Sequence, residues 1–449
     1  MRVSLASPIA LTCAAVLSLP LPLAAPAAAT APPAASALPP APDDLPGSTQ
    51  SLPLAPLGAS SRAGGDGSAR PADQGLTRRD VRPFSLLGVV WDDPRAALHG
   101  TVQVRTRATG GDVWSDWQDV ETHTDQHGAD PDSAEGASGA RRGATAPLWV
   151  GDSDGVEIRV RAENGVPSLP DGLRLELIDP GEAPADTTRG TASTGTPTGL
   201  GASEAAATSA NAELAPYGSA WIPALTKEET ERTTVGGAPV QAAQAKKPYI
   251  GPRPKIVTRK GWGADERIRE KGFVYTKTIK AAFVHHSATG NNYTCAQAPS
   301  VLRGIYRYHV LSSGWRDVGY NFAIDKCGTI YEGRAGGVAK PVLGAHTLGF
   351  NTNSMGVAVL GSYGSSTPPA AVVTAVARLT AWKLGLHGIN PKGTVTLVSG
   401  GGNLYAKGKK VKFHAIAGHR DGYRTDCPGT RLYGKLPTTR TSSAKYQGR

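Results

Sequence analysis

The sequence predicts a protein of two folded parts, a C-terminal α/β domain preceded by a smaller all-β, sandwich-like domain. Three observations carry this. Residues 84–180 hold short stretches in which apolar and polar residues alternate, the pattern of half-buried strands, separated by turn-rich gaps. From Arg253 onward, strand-like apolar runs alternate with stretches at helical spacing. Around these parts lie tracts rich in Ala, Pro, Gly, Ser and Thr, residues 24–75 and roughly 181–245, which bury too little apolar surface to offset the entropy of ordering.

Arg2, the apolar stretch Ile9–Leu23 and the small residues Ala27–Ala31 read as an export signal over 1–31. Pro20 and Pro22 interrupt a run already shorter than the ~20 residues a membrane span needs, and the apolar region continues past Cys13 as a lipoprotein signal would not. No other stretch is long enough to cross a bilayer, so the sequence predicts a secreted or wall-associated protein with no transmembrane span. Residues 32–80 read as a disordered Ala/Pro/Gly-rich segment, 81–181 as the β domain, 182–250 as a flexible linker, 251–437 as the α/β domain and 438–449 as a disordered tail.

Within the β domain, Val102–Arg107, Val156–Val160 and Leu173–Leu177 alternate most clearly, with further strands expected at Ser85–Trp91, Trp114–Val120 and Pro147–Val150. Asp125–Gly143 then becomes a long polar excursion. Trp114 and Trp117 could stack on sugar rings, although one core and one edge tryptophan is the plainer reading. No catalytic set is visible here.

In the second domain the expected elements are a strand at Lys280–His286, a helix at Pro299–Ser313, and a hairpin turning at Asp325–Gly328. A strand at Met355–Leu360 follows, and then a helix at Pro369–Leu386 with Val372, Val376, Leu379, Lys383 and Leu386 on one face. An exposed Gly- and Lys-rich hairpin at 393–411, a strand at Lys412–Ala417 and a short helix at Leu432–Leu436 complete the domain.

Charge divides unevenly: residues 1–250 carry 19 basic and 29 acidic residues, whereas 251–449 carry 29 and 8. A second half with a net +21 expects an anionic partner. An exported protein meets anionic wall polymers rather than nucleic acid. Of the four cysteines, Cys13 leaves with the signal and Cys427 sits in a histidine cluster, so Cys295 and Cys327 remain as the economical disulfide. The bridge would close a loop of about 30 residues, a stabilisation of roughly 3–4 kcal/mol.

The strand at Lys280–His286 delivers His285 and His286 at its end; 134 residues later comes His419, and Cys427 follows eight residues on. Imidazole and thiolate are the donors zinc prefers, and three distant ligands with no Cys-x-x-Cys pair leave a fourth position open, as catalytic zinc requires. Buried, hydrogen-bonded histidines are the competing reading.

Six blocks bear on that choice: Phe283–Ala288, Gly314–Phe322, Gly328–Arg334, Gly344–Thr347, Asn353–Val357 and Gly418–Gly429. In this order, over roughly 254–437, they resemble the peptidoglycan recognition protein family. Its members are zinc N-acetylmuramoyl-L-alanine amidases (type 2) or inactive recognition relatives. The resemblance implies a mixed central β-sheet packed by about three helices, Zn²⁺ held by His285, His419 and Cys427 but not His286, and peptidoglycan as substrate. It further implies catalytic Tyr320 and Thr425, and a groove lined by His346 and Asn351, with Arg420 also expected at the substrate. Zinc-assisted attack of water on the muramoyl–alanine amide would follow. Inactive relatives typically lose the zinc cysteine, which this chain keeps, so a recognition protein with little or no hydrolysis is the alternative. Arg334–Gly337 departs from the family pattern, which leaves stem-peptide preference open.

Overall fold

The alternating stretches of the N-terminal half form one eight-stranded antiparallel sheet in the computed structural model, which describes residues 46–57, 73–122, 127–163, 169–182, 201–235 and 249–449. The export signal expected at 1–31 lies outside the described residues. The strand order is Ser48–Pro53, Arg174–Asp179, Asp73–Trp91, Leu148–Ala162, Gly100–Ala108, Gln118–Val120, with Ala55–Pro56 and Gly143–Ala144 paired to Asp73–Trp91 off this path. Register shifts along the pairing of the two longest strands mark bulges, and the inner faces of this sheet enclose one buried core, in keeping with the expected sandwich-like β domain.

Side-chain alternation sets its core. Val102, Val104, Val156, Ile158 and Val160 are buried with Leu87, Val89, Leu175 and Leu177, while Gln103, Arg105, Glu157 and Arg159 between them stay partly exposed. Trp114 and Trp117 are both half-buried under arginines: Arg78 lies 5.2 Å from the Trp114 ring, and Arg105 and Arg159 lie 4.9 and 4.0 Å from that of Trp117. Neither is a core residue.

The second sheet has seven strands in the order Ile416–Gly418, Ala281–His286, Ser354–Val359, Phe322–Ile324, Ile330–Glu332, Ile256–Val257, Trp221–Ile222. Pairing is parallel through the first four and antiparallel at the Phe322–Ile324 to Ile330–Glu332 hairpin, which gives the expected mixed sheet. The helices Ala370–Leu386 and Leu436–Gln447 belong to one face, where Val284, Val357, Val376, Leu379 and Trp382 share a core. Helix Ala298–Arg307, continued as a π turn over Tyr308–Ser312, covers the other. The Cys295–Cys327 disulfide ties the start of that helical segment to the hairpin turn.

Three of the expected boundaries need correction. Ser48–Pro53, Ala55–Pro56 and residues 73–80, expected to be disordered, are strands; Ser48–Pro53 gains a full ladder with Arg174–Asp179 that its polar composition does not advertise. Within the expected linker, Ala202–Ser209 and Lys227–Val235 are helices, and Trp221–Ile222 completes the edge of the second sheet by pairing with Ile256–Val257. The expected tail at 438–449 is the end of the helix Leu436–Gln447, whose Ser443 hydroxyl lies 3.1 Å from that of Thr380.

The two sheets are joined by a shared core rather than tethered. Leu86, Val90, Trp149 and Ile178 pack with Val301, Leu302, Ile305 and Tyr308. The Tyr308 hydroxyl lies 3.1 and 3.2 Å from the carbonyls of Val89 and Thr145. A Cβ at residue 88 would sit 2.4 Å from that hydroxyl, so the approach requires Gly88.

Lys383 is the polar member of the apolar helix face, and its ammonium group donates to the carbonyls of Val338 and Lys340 at 2.6 and 2.7 Å. Burial pulls its pKa down to about 7. Between about pH 7 and 10 the unfolded chain therefore binds the extra proton, and stability should rise with pH by up to about 1.4 kcal/mol per unit. Lys383→Met should flatten that rise, as urea unfolding at a series of pH values would reveal.

Candidate metal centre

Ala281–His286 is buried along its whole length between two parallel neighbours, as a continuous apolar run requires. Alternation then separates its two histidines. His285 shares a face with Ala281 and Phe283; His286 faces the opposite side, where its Nδ1 accepts the Tyr363 N–H at 3.4 Å. Only His285 can meet a ligand set on the Tyr320 side.

Strand Ile416–Gly418 runs directly into the short helix His419–Gly422, which sets His419 beside His285 with ring centroids 4.4 Å apart. Beyond that helix, the Cys427 Sγ lies 3.7 Å from His285 Nδ1 and accepts the His286 backbone N–H at 3.4 Å. Thr425 Oγ1 accepts the Cys427 N–H at 3.0 Å and so holds the ligand loop in shape.

A fourth group completes the cluster. His127, from the polar excursion of the N-terminal domain, places a ring nitrogen with those of His285 and His419 and the Cys427 sulfur, all within 4.8 Å of one another. Zinc bonds of about 2.0–2.3 Å set tetrahedral ligand atoms roughly 3.5 Å apart, so the cluster is a slightly open version of such a cage. The donors suit the metal. Burial pulls His285 well below the ordinary imidazole range and His127 down to about 3, so both present neutral lone pairs. Burial pushes the Cys427 thiol up, and a cation here would draw off its proton. The Nε2 of His127 is buried with no hydrogen-bond partner among the described residues, an arrangement that metal ligation would resolve.

Behind the ligands, His285 Nε2 lies 3.3 Å from His346 Nδ1 and 3.4 Å from Thr347 Oγ1. His346 was expected to line the peptide groove; it is instead fully buried as a support for the His285 ring. Gly356 makes the room, since a Cβ there would sit 2.4 Å from the His346 ring. Asn351 is buried too: its Oδ1 accepts the N–H groups of His346 and Thr347 at 2.7 and 3.0 Å, and its amide NH₂ donates to Gly128 O and Asp130 Oδ1 at 2.9 and 2.8 Å.

Tyr320 is buried, its ring 5.4 Å from that of His285, and lines one cavity with Thr425 and Cys427. Burial, reinforced by Cys427, raises its hydroxyl pKa, so it remains a donor. Arg420, one helical step after His419, lies 5.0 Å from the Tyr433 ring and lines, with Asn291 and Ser362, an adjoining depression that shares His286 and Asp426 with this cavity.

His127 escaped sequence reading altogether. A lone histidine in an acidic loop, far in sequence from the other three residues of the cluster, has no spacing to betray it.

Residues 275–430 match the N-acetylmuramoyl-L-alanine amidase family, and residues 33–197 match the family described as Rv3811 N-terminal galactose-binding domain-like. Peptidoglycan-recognition protein SC2 of Drosophila melanogaster is 30% identical over 183 residues, 41% of this chain and 85% of that protein. The Homo sapiens N-acetylmuramoyl-L-alanine amidase is 31% identical over 189 residues, 41% of this chain and 28% of that protein. The solved structure of Drosophila PGRP-LB, at 26% identity, aligns with a TM-score of 0.33, covering 41% of this chain and 92% of that one. The C-terminal domain is thus similar to both recognition proteins and amidases, and the chain belongs to the peptidoglycan recognition protein and type 2 N-acetylmuramoyl-L-alanine amidase family.

Proposed function

We propose that the protein is an exported, zinc-dependent amidase that hydrolyses the bond between N-acetylmuramic acid and L-alanine in peptidoglycan. The observation that carries this reading is the convergence of His285, His419 and Cys427 on one point beside Tyr320. Among the described residues no helix is long and apolar enough to cross a membrane.

His285, His419 and Cys427 would hold the ion. Bound there, zinc supplies Lewis-acid polarisation of the amide carbonyl and acidifies water. The protein does the rest. His346 and Thr347 fix the orientation of the His285 ring from behind. Tyr320 donates its hydroxyl proton to the carbonyl oxygen as negative charge develops there. Thr425, whose oxygen already accepts the Cys427 N–H, keeps its own O–H available to the same oxygen or to the leaving nitrogen.

The test is mass spectrometry of the products released from purified peptidoglycan by the full chain. New N-terminal alanine should appear, vanish on thorough chelation and return with zinc. Release that survives chelation would sink the zinc assignment. Tyr320→Phe should lower turnover by about 10²-fold while metal content is unchanged.

A further inference from the structure

The loop that carries His127 lies across the cleft. Gly128 O accepts from Asn351 Nδ2 at 2.9 Å, and Asp130 Oδ1 accepts from Asn351 Nδ2 and from the Gly349 N–H, each at 2.8 Å. Asp132 pairs with Lys407 at 2.6 Å. Glu135 faces Arg334 with both oxygens, at 2.7 and 2.9 Å, and accepts the Arg316 N–H at 3.2 Å. Both members of that ion pair are less than a tenth exposed. At the far end the Arg142 N–H donates to Ser313 O, and a Cβ at Gly314 would meet Ala140 O at 1.9 Å.

A surface excursion does not need such a seat. Burying a charge is costly unless it is paired, so Glu135 and Arg334 specify this docked position; in a half-open one they would lose each other, and Arg334 would keep only carbonyl acceptors such as that of Val318. The seat brings His127 to the one place a hydrolytic site must keep free. Four protein ligands are the pattern of a closed zinc site, whereas hydrolysis needs a position for water or substrate. In the groove, the donors of Asn351, Gly349 and Arg334 are filled by two carboxylates of the protein's own chain.

We propose that residues 127–142 are a built-in occupant of the cleft: His127 closes the ligand set, while Asp130 and Glu135 fill groove donors suited to the carboxylates of an anionic peptide. The amidase is therefore latent in this conformation, and turnover requires the loop to leave. This rests on the amidase reading above. It differs from the open fourth position that ligand spacing alone suggested.

The test uses the full chain, loaded with cobalt(II) for spectroscopy and zinc for turnover. In the wild type, cobalt should give an absorption spectrum that added azide leaves unchanged. His127→Ala should keep its metal, become azide-responsive, and release N-terminal alanine from peptidoglycan at least about tenfold faster, as expected when a closed state no longer dominates. Asp130→Asn with Asp132→Asn loosens the seat without touching a ligand or the buried ion pair, and should raise the rate by a smaller factor. A wild-type spectrum that already responds to azide, loss of metal in His127→Ala, or an unchanged or lower rate in both variants where the wild type is active would overturn the proposal. If the spectra change as expected but no variant ever releases alanine, the closed ligand set stands, and both the latency and the amidase reading fall.

Discussion

Replacing Cys427 with serine should leave a folded protein that holds zinc weakly and releases no measurable N-terminal alanine, in the wild-type chain and in the His127→Ala background alike. The thiol is buried, accepts the His286 N–H and faces the rings of His285, His419 and His127. Serine keeps the shape and the hydrogen bond but removes the anionic donor. Outer-shell changes around a metal cost roughly 10–100-fold in affinity or activity, and losing a ligand itself should exceed that. Metal content after dialysis against a weak chelator and product analysis check the two halves separately. A Cys427→Ser chain that still binds zinc at full stoichiometry and still cuts would remove sulfur from the site.

What the sequence made legible follows from how local each signal is. His285, His419 and Cys427 were readable because each sits in a contiguous block, one at the end of a continuous apolar strand and two around a Gly-His-Arg turn. His286 was rejected by resemblance, and side-chain alternation supplies the reason: strand neighbours cannot face the same site. The expectation for His346 failed because its place depends on a tertiary vacancy, the missing Cβ of Gly356, that no residue pattern near His346 announces. The strands at Ser48–Pro53 and Trp221–Ile222 are hard to read because the first is largely polar and the second only two residues long, so each gains its stability from the partner it pairs with. His127 is the extreme case. Its position is set by Glu135 meeting Arg334, nearly two hundred residues away, so composition could register only a polar loop.

The largest effect on stability should come from Arg259. This side chain is 2% exposed, yet its guanidinium donates to Glu266 at 2.6 Å, to Asp317 at 3.1 Å and to the Gly333 carbonyl at 2.6 Å. Burial works against its charge, but Asp317 and Glu266 overrule that and hold its pKa well above the usual value. Glu266 also pairs with Arg269, and Asp317 accepts the N–H groups of Val318 and Ala335 at 2.7 and 2.9 Å. The network therefore pins the chain just before Gly319 and Tyr320, which links fold stability to the position of the tyrosine proposed as catalytic. Arg259→Met should cost about 3–5 kcal/mol in urea unfolding, because it strands buried carboxylates rather than because the pair itself is worth that much. The combination Arg259→Met, Asp317→Asn discriminates between these accounts, since Glu266 keeps Arg269 as its partner in both variants. If the stranded charge is the cause, neutralising Asp317 should recover most of the loss. If the guanidinium's own contacts carry the stability, the double variant should be no better than the single one.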